Sequence, residues 1–504
     1  MPRHESVWSA TAPMPECGPL EENLHVDVCV IGGGIAGLST AYHLCRAGRS
    51  VALLDDGPLA SGMTRMTSGH LTNMLDDRYF ELEKLHGAEA IRVAADSHTA
   101  AIERIDEIVR TEGIDCDFAR PDGYLFLAEG DKLATLDREL DAARRAGLKD
   151  VEPVARGPYE WDTGPCLRFP RQGQFHPLKY LAGLAEAIRR NGGRIFCHSH
   201  ADHVEGGVPG LVHVGNHVVT GDAIVVATNV PINNRIALHT KQAPYMTYVI
   251  GARVAAGSVP KVLAWDTGDP YHYIRLHDDL LIVGGEDHKS GQAHDSPQRY
   301  HNLEAWARKR FPTMREVEFM WGGQVMEPAD YLAFIGHNPM DHDNIFVATG
   351  DSGMGLTHGT IAGMLLRDLI LGRRNPWEKL YSPSRVPLRA AAELAREDLN
   401  MAAQYGDWLT GGDVSSVDEI ARDSGAIVRR GLEKIAVYRD ANGALHERSA
   451  ACPHLGCIVQ WNPGETTWDC PCHGSRFDAY GKVINGPANR DLLSVQRPQH
   501  KRAA

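Results

Sequence analysis

The stretch V-D-V-C-V-I-G-G-G-I-A-G (26–37), running on into L-S-T-A-Y-H-L-C-R-A-G (38–48), decides the fold of the larger part of the chain. A short run rich in β-branched residues reads as a strand, the glycines as a tight turn, and the apolar spacing that follows as a helix. Gly32 and Gly34 let the backbone turn and approach a pyrophosphate, and Gly37 lets the helix pack on the strand. The start of the helix leaves N–H groups free for an anion. A second strand, V-A-L-L-D (51–55), delivers Asp55, an acid placed to accept hydrogen bonds from ribose hydroxyls, which favours FAD or NAD over NADP. The alternative is a glycine-rich turn without a ligand, and the strand, helix and acid around the motif argue against it.

Further along, I-F-V-A-T-G-D-S-G-M-G-L-T-H-G (345–359) repeats the arrangement of strand, glycine-rich turn and helix. A helix N-terminus here can aim N–H groups at a flavin's pyrimidine carbonyl, where negative charge develops on reduction. Gly350, Gly353, Met354, Gly355 and Thr357 are the candidate contacts, and the turn favours FAD over NAD.

With both turns in place, residues from about 20 to 385 resemble the D-amino-acid oxidase and glycine oxidase superfamily of FAD enzymes. G-M-T-R-M-T-S-G-H-L (62–71), F-H-P-L-K-Y-L-A-G-L-A (175–185) and D-A-I-V-V-A-T-N (222–229) carry the likeness further. The resemblance implies a Rossmann-like α/β FAD-binding domain of the glutathione-reductase type, with an α+β substrate domain. The first would be discontinuous, near 20–85, 150–235 and 330–380, and the second would fill 86–150 and 236–329. It also implies flavin contacts from Thr67, Gly69 and His70. Because His70 does not fall where His-linked members carry theirs, and Met66 falls nearer, non-covalent FAD is expected.

Near the other end the chain reads C-P-H-L-G-C (452–457) and then C-P-C-H-G-S (470–475). Cys452, His454, Cys470 and His473 suit a 2Fe-2S cluster in which His replaces Cys on one iron, the Rieske arrangement. Two Cys and two His also fit tetrahedral zinc. The motif resembles the Rieske family, however, and in that family the two further cysteines, here Cys457 and Cys472, form a disulfide bracing the loops. The same resemblance makes Ser475 a hydroxyl donor to the cluster. High-potential members carry a Tyr where this chain has Phe477, so a lower potential is expected. The whole chain resembles bacterial FAD-dependent oxidoreductases fused to a Rieske domain.

Between the sites, helical periodicity is good over 88–112 and 133–146, and residues 245–285 alternate as strands of an antiparallel sheet. The Ala-rich stretch 388–408 reads as a connecting helix within a linker at 386–412, and the remainder, 413–504, as a small all-β domain that includes a hairpin from Ile435. With 504 residues, 43% hydrophobic and 23% charged, the chain has ordinary globular composition, and its net charge of -13 argues against general nucleic-acid binding. No apolar run is long enough to span a membrane and the first residues lack a signal-peptide pattern, so a cytoplasmic protein is expected. Ten cysteines are too few for a disulfide scaffold in a chain of this length.

C-H-S-H-A-D-H (197–203) contains the zinc string of metallo-β-lactamases, yet it falls where the resemblance puts a strand end, and a polar strand end is the expectation. No second strand-associated G-x-G-x-x-G appears for a pyridine nucleotide, and no D-x-x-H-x-x-x-x-H string for the mononuclear iron of an oxygenase. These readings combine into an oxidoreductase that takes hydride from a small amine or N-alkyl amino acid and passes electrons through the cluster to an external protein, quinone or oxygen. In P-Y-H-Y-I-R (270–275), alternation puts Tyr271, Tyr273 and Arg275 on one strand face, and superfamily members often use such an Arg and Tyr for a substrate carboxylate. A solvent-facing Arg with core tyrosines is the alternative. Tyr248, His288, Lys289 and His358 are further candidates. Two other functions stay open: a reductase fed by a ferredoxin-like donor, and a non-catalytic redox sensor.

Overall fold

The computed structural model describes residues 2–233, 238–386 and 388–495. Its first sheet is built around Leu24–Ile31, which pairs in parallel with Val51–Leu54 on one side and His217–Val226 on the other. Arg194–Phe196 and Ile345–Thr349 extend the parallel order, and Phe334–His337 closes it antiparallel. Such strands are covered on both faces, so they read as continuous apolar runs, and Ile224, Val225 and Val226 are fully buried. The helices Ile35–Arg46 and Gly355–Ile370 cross closely on this sheet because Gly359 and Gly363 have no Cβ: one at Gly363 would stand 2.7 Å from Ser39. Both glycine turns therefore open at the carboxyl edge of one sheet, where α/β folds bind ligands.

The second sheet runs Val317–Pro328, Gln242–Arg253, Leu280–Lys289, Tyr273–His277, Leu263–Asp266, Gly123–Phe126, Cys166–Phe169 and Glu152–Val154. Its last two strands lie in the stretch from 150 that the sequence reading gave to flavin binding. They belong here because Cys166–Phe169 pairs with Gly123–Phe126. Ala88–Glu112 forms the expected helix, with Ile91, Ala95, Ile102 and Ile105 on its buried side and Gly113 in the left-handed conformation ending it. Leu133–Arg145 is likewise helical.

The connecting segment is a helix, Ala391–Gln404, with short 3-10 turns on either side. Beyond it stands an all-β domain of a three-stranded and a four-stranded sheet. The predicted hairpin is Glu433–Arg439 with Leu445–Ser449; Asp440 ties the turn by accepting from Asn442 and Ala444, and Gly443 takes a positive φ. Residues 496–504 of the segment expected to run to 504 lie outside the described residues, as do 234–237 and Pro387. Two disulfides are present among the described residues, the expected Cys457–Cys472 and an unforeseen Cys17–Cys197 that ties the N-terminal segment to the first sheet.

Candidate functional site

One cavity runs from the first glycine turn, past the loop 63–68, to the second glycine turn, and the second sheet roofs its far end. At the near end Gly33 N donates to Asp55 Oδ2 at 2.7 Å and Gly57 N to Oδ1 at 3.0 Å, so the carboxylate both braces the turn and faces the cavity. A Cβ at Gly32 would come within 2.3 Å of the Ala227 carbonyl oxygen, and one at Gly37 within 1.8 Å of the Gly32 carbonyl oxygen. Only glycine fits at either place. Gly34 caps the helix without a side chain, and apart from Ile35 N, which donates to Thr64 Oγ1 at 3.1 Å, its first turn is open to a phosphate.

At the other turn, Gly350 and Gly353 have positive φ, and a Cβ at Gly353 would meet Asp76 Oδ2 at 2.4 Å. Met354 caps the following helix with no side-chain hydrogen bond. The cradle fits a dinucleotide carrying a flavin: a braced carboxylate for the ribose, one uncapped helix for the pyrophosphate and a second for the ring.

Of the predicted contacts, Gly32, Gly34, Asp55, Thr67, His70, Gly350, Gly353, Met354 and Gly355 line this cavity, together with Tyr273 and His358. Gly37 and Gly69 do not. Thr357 spends its hydroxyl on the Met354 carbonyl of its own helix. Burial keeps His70 neutral, pushing its pKa down to about 3, and its Nδ1 meets Ser68 Oγ at 2.9 Å. His358 is likewise pushed well down by burial, with Nδ1 on the Asp351 carbonyl at 2.8 Å.

Arg275 does not reach the cavity. Its guanidinium is buried over the Trp8 ring, and Nη1 donates to the carbonyls of Gly69 at 2.5 Å, Phe175 at 3.3 Å and Ser68 at 3.4 Å. The absent side chain of Gly69 leaves room for it, since a Cβ there would clash with Nη1 at 2.2 Å. It clamps the loop 67–70 instead of facing a substrate. Tyr248 and His288 also lie off the cavity, stacked on each other 5.7 Å apart, and Tyr248 packs on Tyr300. Alternation explains Tyr248, because its neighbour Thr247 is the residue that faces in. Lys289 pairs with Glu397 of the connecting helix at 2.7 Å.

Sequence reasoning missed the acids that bound the cavity's far end. Tyr271 donates to Asp76 Oδ2 at 2.7 Å, Thr247 and Tyr273 share a 3.0 Å hydrogen bond, and Asp287 Oδ1 is shielded without a hydrogen-bond partner. Burial raises the Asp76 and Asp351 carboxyls to about 6 and that of Asp287 to about 7. No lysine or arginine lines the cavity among the described residues. Asp287 stood in sequence directly before His288, but nothing local marked it as the inward-facing one.

In the β domain two loops face each other with the same backbone closure: Cys452 N donates to the Cys457 carbonyl at 2.8 Å, and Cys470 N to the Ser475 carbonyl at 2.8 Å. The Cys452 and Cys470 thiols are hydrogen-bonded, which draws Cys452 below its ordinary pKa. The His454 and His473 rings stand 4.8 Å apart, perpendicular. Burial lowers His473 to about 4, so the ring is neutral and its lone pair available. Cys457, Cys470 and Cys472 sulfurs lie within 4.8 Å of one another, and since Cys457 is bonded to Cys472 these two are not free to bind metal. Two thiols and two imidazoles, with Ser475 hydrogen-bonded to Cys452, fit a 2Fe-2S cluster. Phe477 is buried in the strand behind them and offers no hydroxyl.

This module is docked on the flavin half. Val483, Asn485, Gly486 and Asn489 form part of the cavity wall, and Asn489 donates to the Ala201 carbonyl at 2.8 Å. His239 places its ring 4.9 Å from that of His454 and 5.9 Å from that of His473. The histidines of the zinc-like string diverge as a polar strand end: His198 is exposed, His200 turns to Asp56 and the Asn489 carbonyl, and His203 to Glu205.

The chain matches the family described as FAD dependent oxidoreductase, DAO, over residues 27–369, and the Rieske [2Fe-2S] domain over 411–496. It is 30% identical over 501 residues, 97% of each chain, to the Bacillus subtilis protein YhfW, whose name marks it as a Rieske 2Fe-2S iron-sulfur protein. Gamma-glutamylputrescine oxidoreductase of Escherichia coli is 29% identical over 407 residues, 77% of this chain and 93% of that one. Among solved structures, glycine oxidase from Geobacillus kaustophilus superposes with a TM-score of 0.63 at 18% identity, covering 72% of this chain and all of that one, a likeness of fold. No helix among the described residues is long and apolar enough to cross a membrane.

Proposed function

The chain belongs to the FAD dependent oxidoreductase family and carries a C-terminal Rieske domain, and from that premise we propose that it oxidises a cationic amine beside Asp76 and Asp287 and sends the electrons singly through the cluster to an outside acceptor. The observation that carries this reading is the charge of the cavity: Asp76, Asp287 and Asp351 line it, and no lysine or arginine does among the described residues. A substrate carboxylate would meet like charge there with no partner, which is costly in a desolvated site. An ammonium group meets its complement. The relative named for gamma-glutamylputrescine supports the amine side of the choice.

Bound here, flavin supplies a two-electron acceptor and the Rieske cluster a one-electron relay. The chain's own residues do the rest. Tyr271 fixes Asp76, Thr247 and Tyr273 hold each other, and the rings of Trp265 and His70 pack together in the cavity wall. The nitrogen must shed a proton before hydride leaves carbon, and Asp287, with its pKa raised to about 7 by burial, is matched to accept it near neutral pH. Outward flow fits the packing of His239 on both ligand histidines, which turns that edge of the cluster toward the flavin half.

Anaerobic mixing of the holoenzyme with diamines, N-alkyl amino acids and amino acids tests the reading. Flavin bleaching followed by cluster reduction is expected, fastest with amines that lack a carboxylate. Asp287→Asn should lower kcat/KM about 10–100-fold, the worth of one hydrogen bond to a charged group. Because its raised pKa keeps Asp287 protonated below about 7, kcat/KM should climb with pH through that region and lose the climb in the variant. Preferential bleaching by amino acids would overturn the assignment.

A further inference from the structure

Gln324 touches three things at once. Its residue lines the flavin cavity, its side-chain Nε2 donates to the Gly474 carbonyl at 2.9 Å, and its Oε1 accepts from Asn485 Nδ2. Gly474 follows the predicted iron ligand His473 directly in sequence. The contact is built, not incidental. Gly474 has φ +82, and a Cβ there would stand 2.7 Å from Pro244 Cβ and 2.9 Å from Gln324 Nε2, so glycine is what lets the cluster loop come this close. The backbone N of Gln324 donates to Met63 Sδ at 3.3 Å, which ties the same residue to the flavin-side loop. Gln324 is 2% exposed, and a buried amide with both ends satisfied is held in one geometry.

We propose that Gln324 is the bridge between the two redox sites: a positioning residue whose amide, through Gly474, couples the flavin cavity to the loop that carries His473. This rests on the reading above, in which electrons pass between flavin and cluster. The two electrons of the substrate hydride leave singly. Each transfer oxidises flavin by one electron and reduces the cluster by one, and an outside one-electron acceptor empties the cluster before the next.

The test uses full-length protein with both cofactors, without substrate, so that a flash photoreduces flavin at the expense of added EDTA as sacrificial donor, and absorbance follows its reoxidation against cluster reduction. Gln324→Met and Gln324→Leu keep the volume and remove the donor to Gly474; Ser296→Ala removes a docking hydrogen bond to Asn462, away from the cavity, and leaves that link. Midpoint potentials and the cluster's EPR spectrum, recorded for each, report changes of driving force or cluster structure. Either Gln324 variant should slow flavin-to-cluster transfer about tenfold, the shift in the bridged population that one lost hydrogen bond makes, with potentials and EPR unchanged and Ser296→Ala near wild type. Wild-type rates in both Gln324 variants would overturn the bridge while leaving the functional reading intact, and so would equal slowing in Ser296→Ala. If the unaltered protein shows no flavin-to-cluster transfer, the functional reading itself falls, and the bridge with it.

Discussion

The two cluster loops are closed by the same backbone hydrogen bonds, yet they are buried unequally. In 470–475 every residue is buried, with the flavin half packed against it through Gln324 and Pro244, and the Asp469–Arg476 ion pair beneath. In 452–457 Pro453 is exposed and Leu455 is 40% exposed, and what braces the loop is a pair of half-exposed aromatics from the connecting segment: Tyr405 donates to the Leu455 carbonyl and Trp408 to the Gly456 carbonyl, each at 2.9 Å. A like pair of loops thus differs in cover: one is enclosed by the flavin half, while the other, whose His454 packs on His239 of that half, opens its tip at Pro453 and Leu455 to solvent. For a relay this asymmetry is useful, because an inlet must be fixed in distance while an outlet must be reachable by a partner.

The largest loss is expected beneath the buried loop. Arg476 donates to Asp469 at 3.0 Å and to Thr467 at 3.2 Å, while Asn462 donates to Asp469 and accepts from Ser296 of the flavin half. Arg476→Leu leaves Asp469 as an unpaired buried charge, and thermal unfolding should show a loss of about 3–5 kcal/mol. At the exposed loop, Trp408→Ala removes one hydrogen bond and some packing, for about 1 kcal/mol in the same measurement. Equal losses would mean that the loops are anchored alike. The smallest effect sharpens the tuning of the cluster: Phe477→Tyr supplies a hydroxyl, and one hydrogen bond to the cluster surroundings should raise the potential by about 20–60 mV in protein-film voltammetry. An unchanged potential would show that position 477 does not govern it.

What is legible in the sequence is written in short spans. The first glycine turn, the acid at the end of the second strand and the cysteine pair of the cluster loops are each set by neighbours a few positions away, and so are the helix 88–112 and the shorter helix 391–404 within the stretch read as 388–408. The features missed are made by partners far apart. Arg275 shares a strand face with Tyr273, but where its head ends is decided by the missing side chain of Gly69, more than 200 residues earlier. Gln324 and Gly474, 150 apart, look ordinary until the fold joins them. Cys17 and Cys197 lie 180 apart, in a chain whose cysteine count suggests no scaffold. The acidity of the cavity has the same origin, since Asp76 and Asp287 come from separate elements and neither belongs to a motif.

The wall formed by residues 483–489 gives the cofactor cavity a timetable. Asp55 at one end of the cavity and Asn489, which closes the same cavity on Ala201, lie 434 residues apart in the chain. At synthesis rates of ~5–20 residues per second the two are separated by roughly 20–90 s on the ribosome. The C-terminal module is thus the later-made part of the cavity wall, and its arrival completes the flank on Ala201.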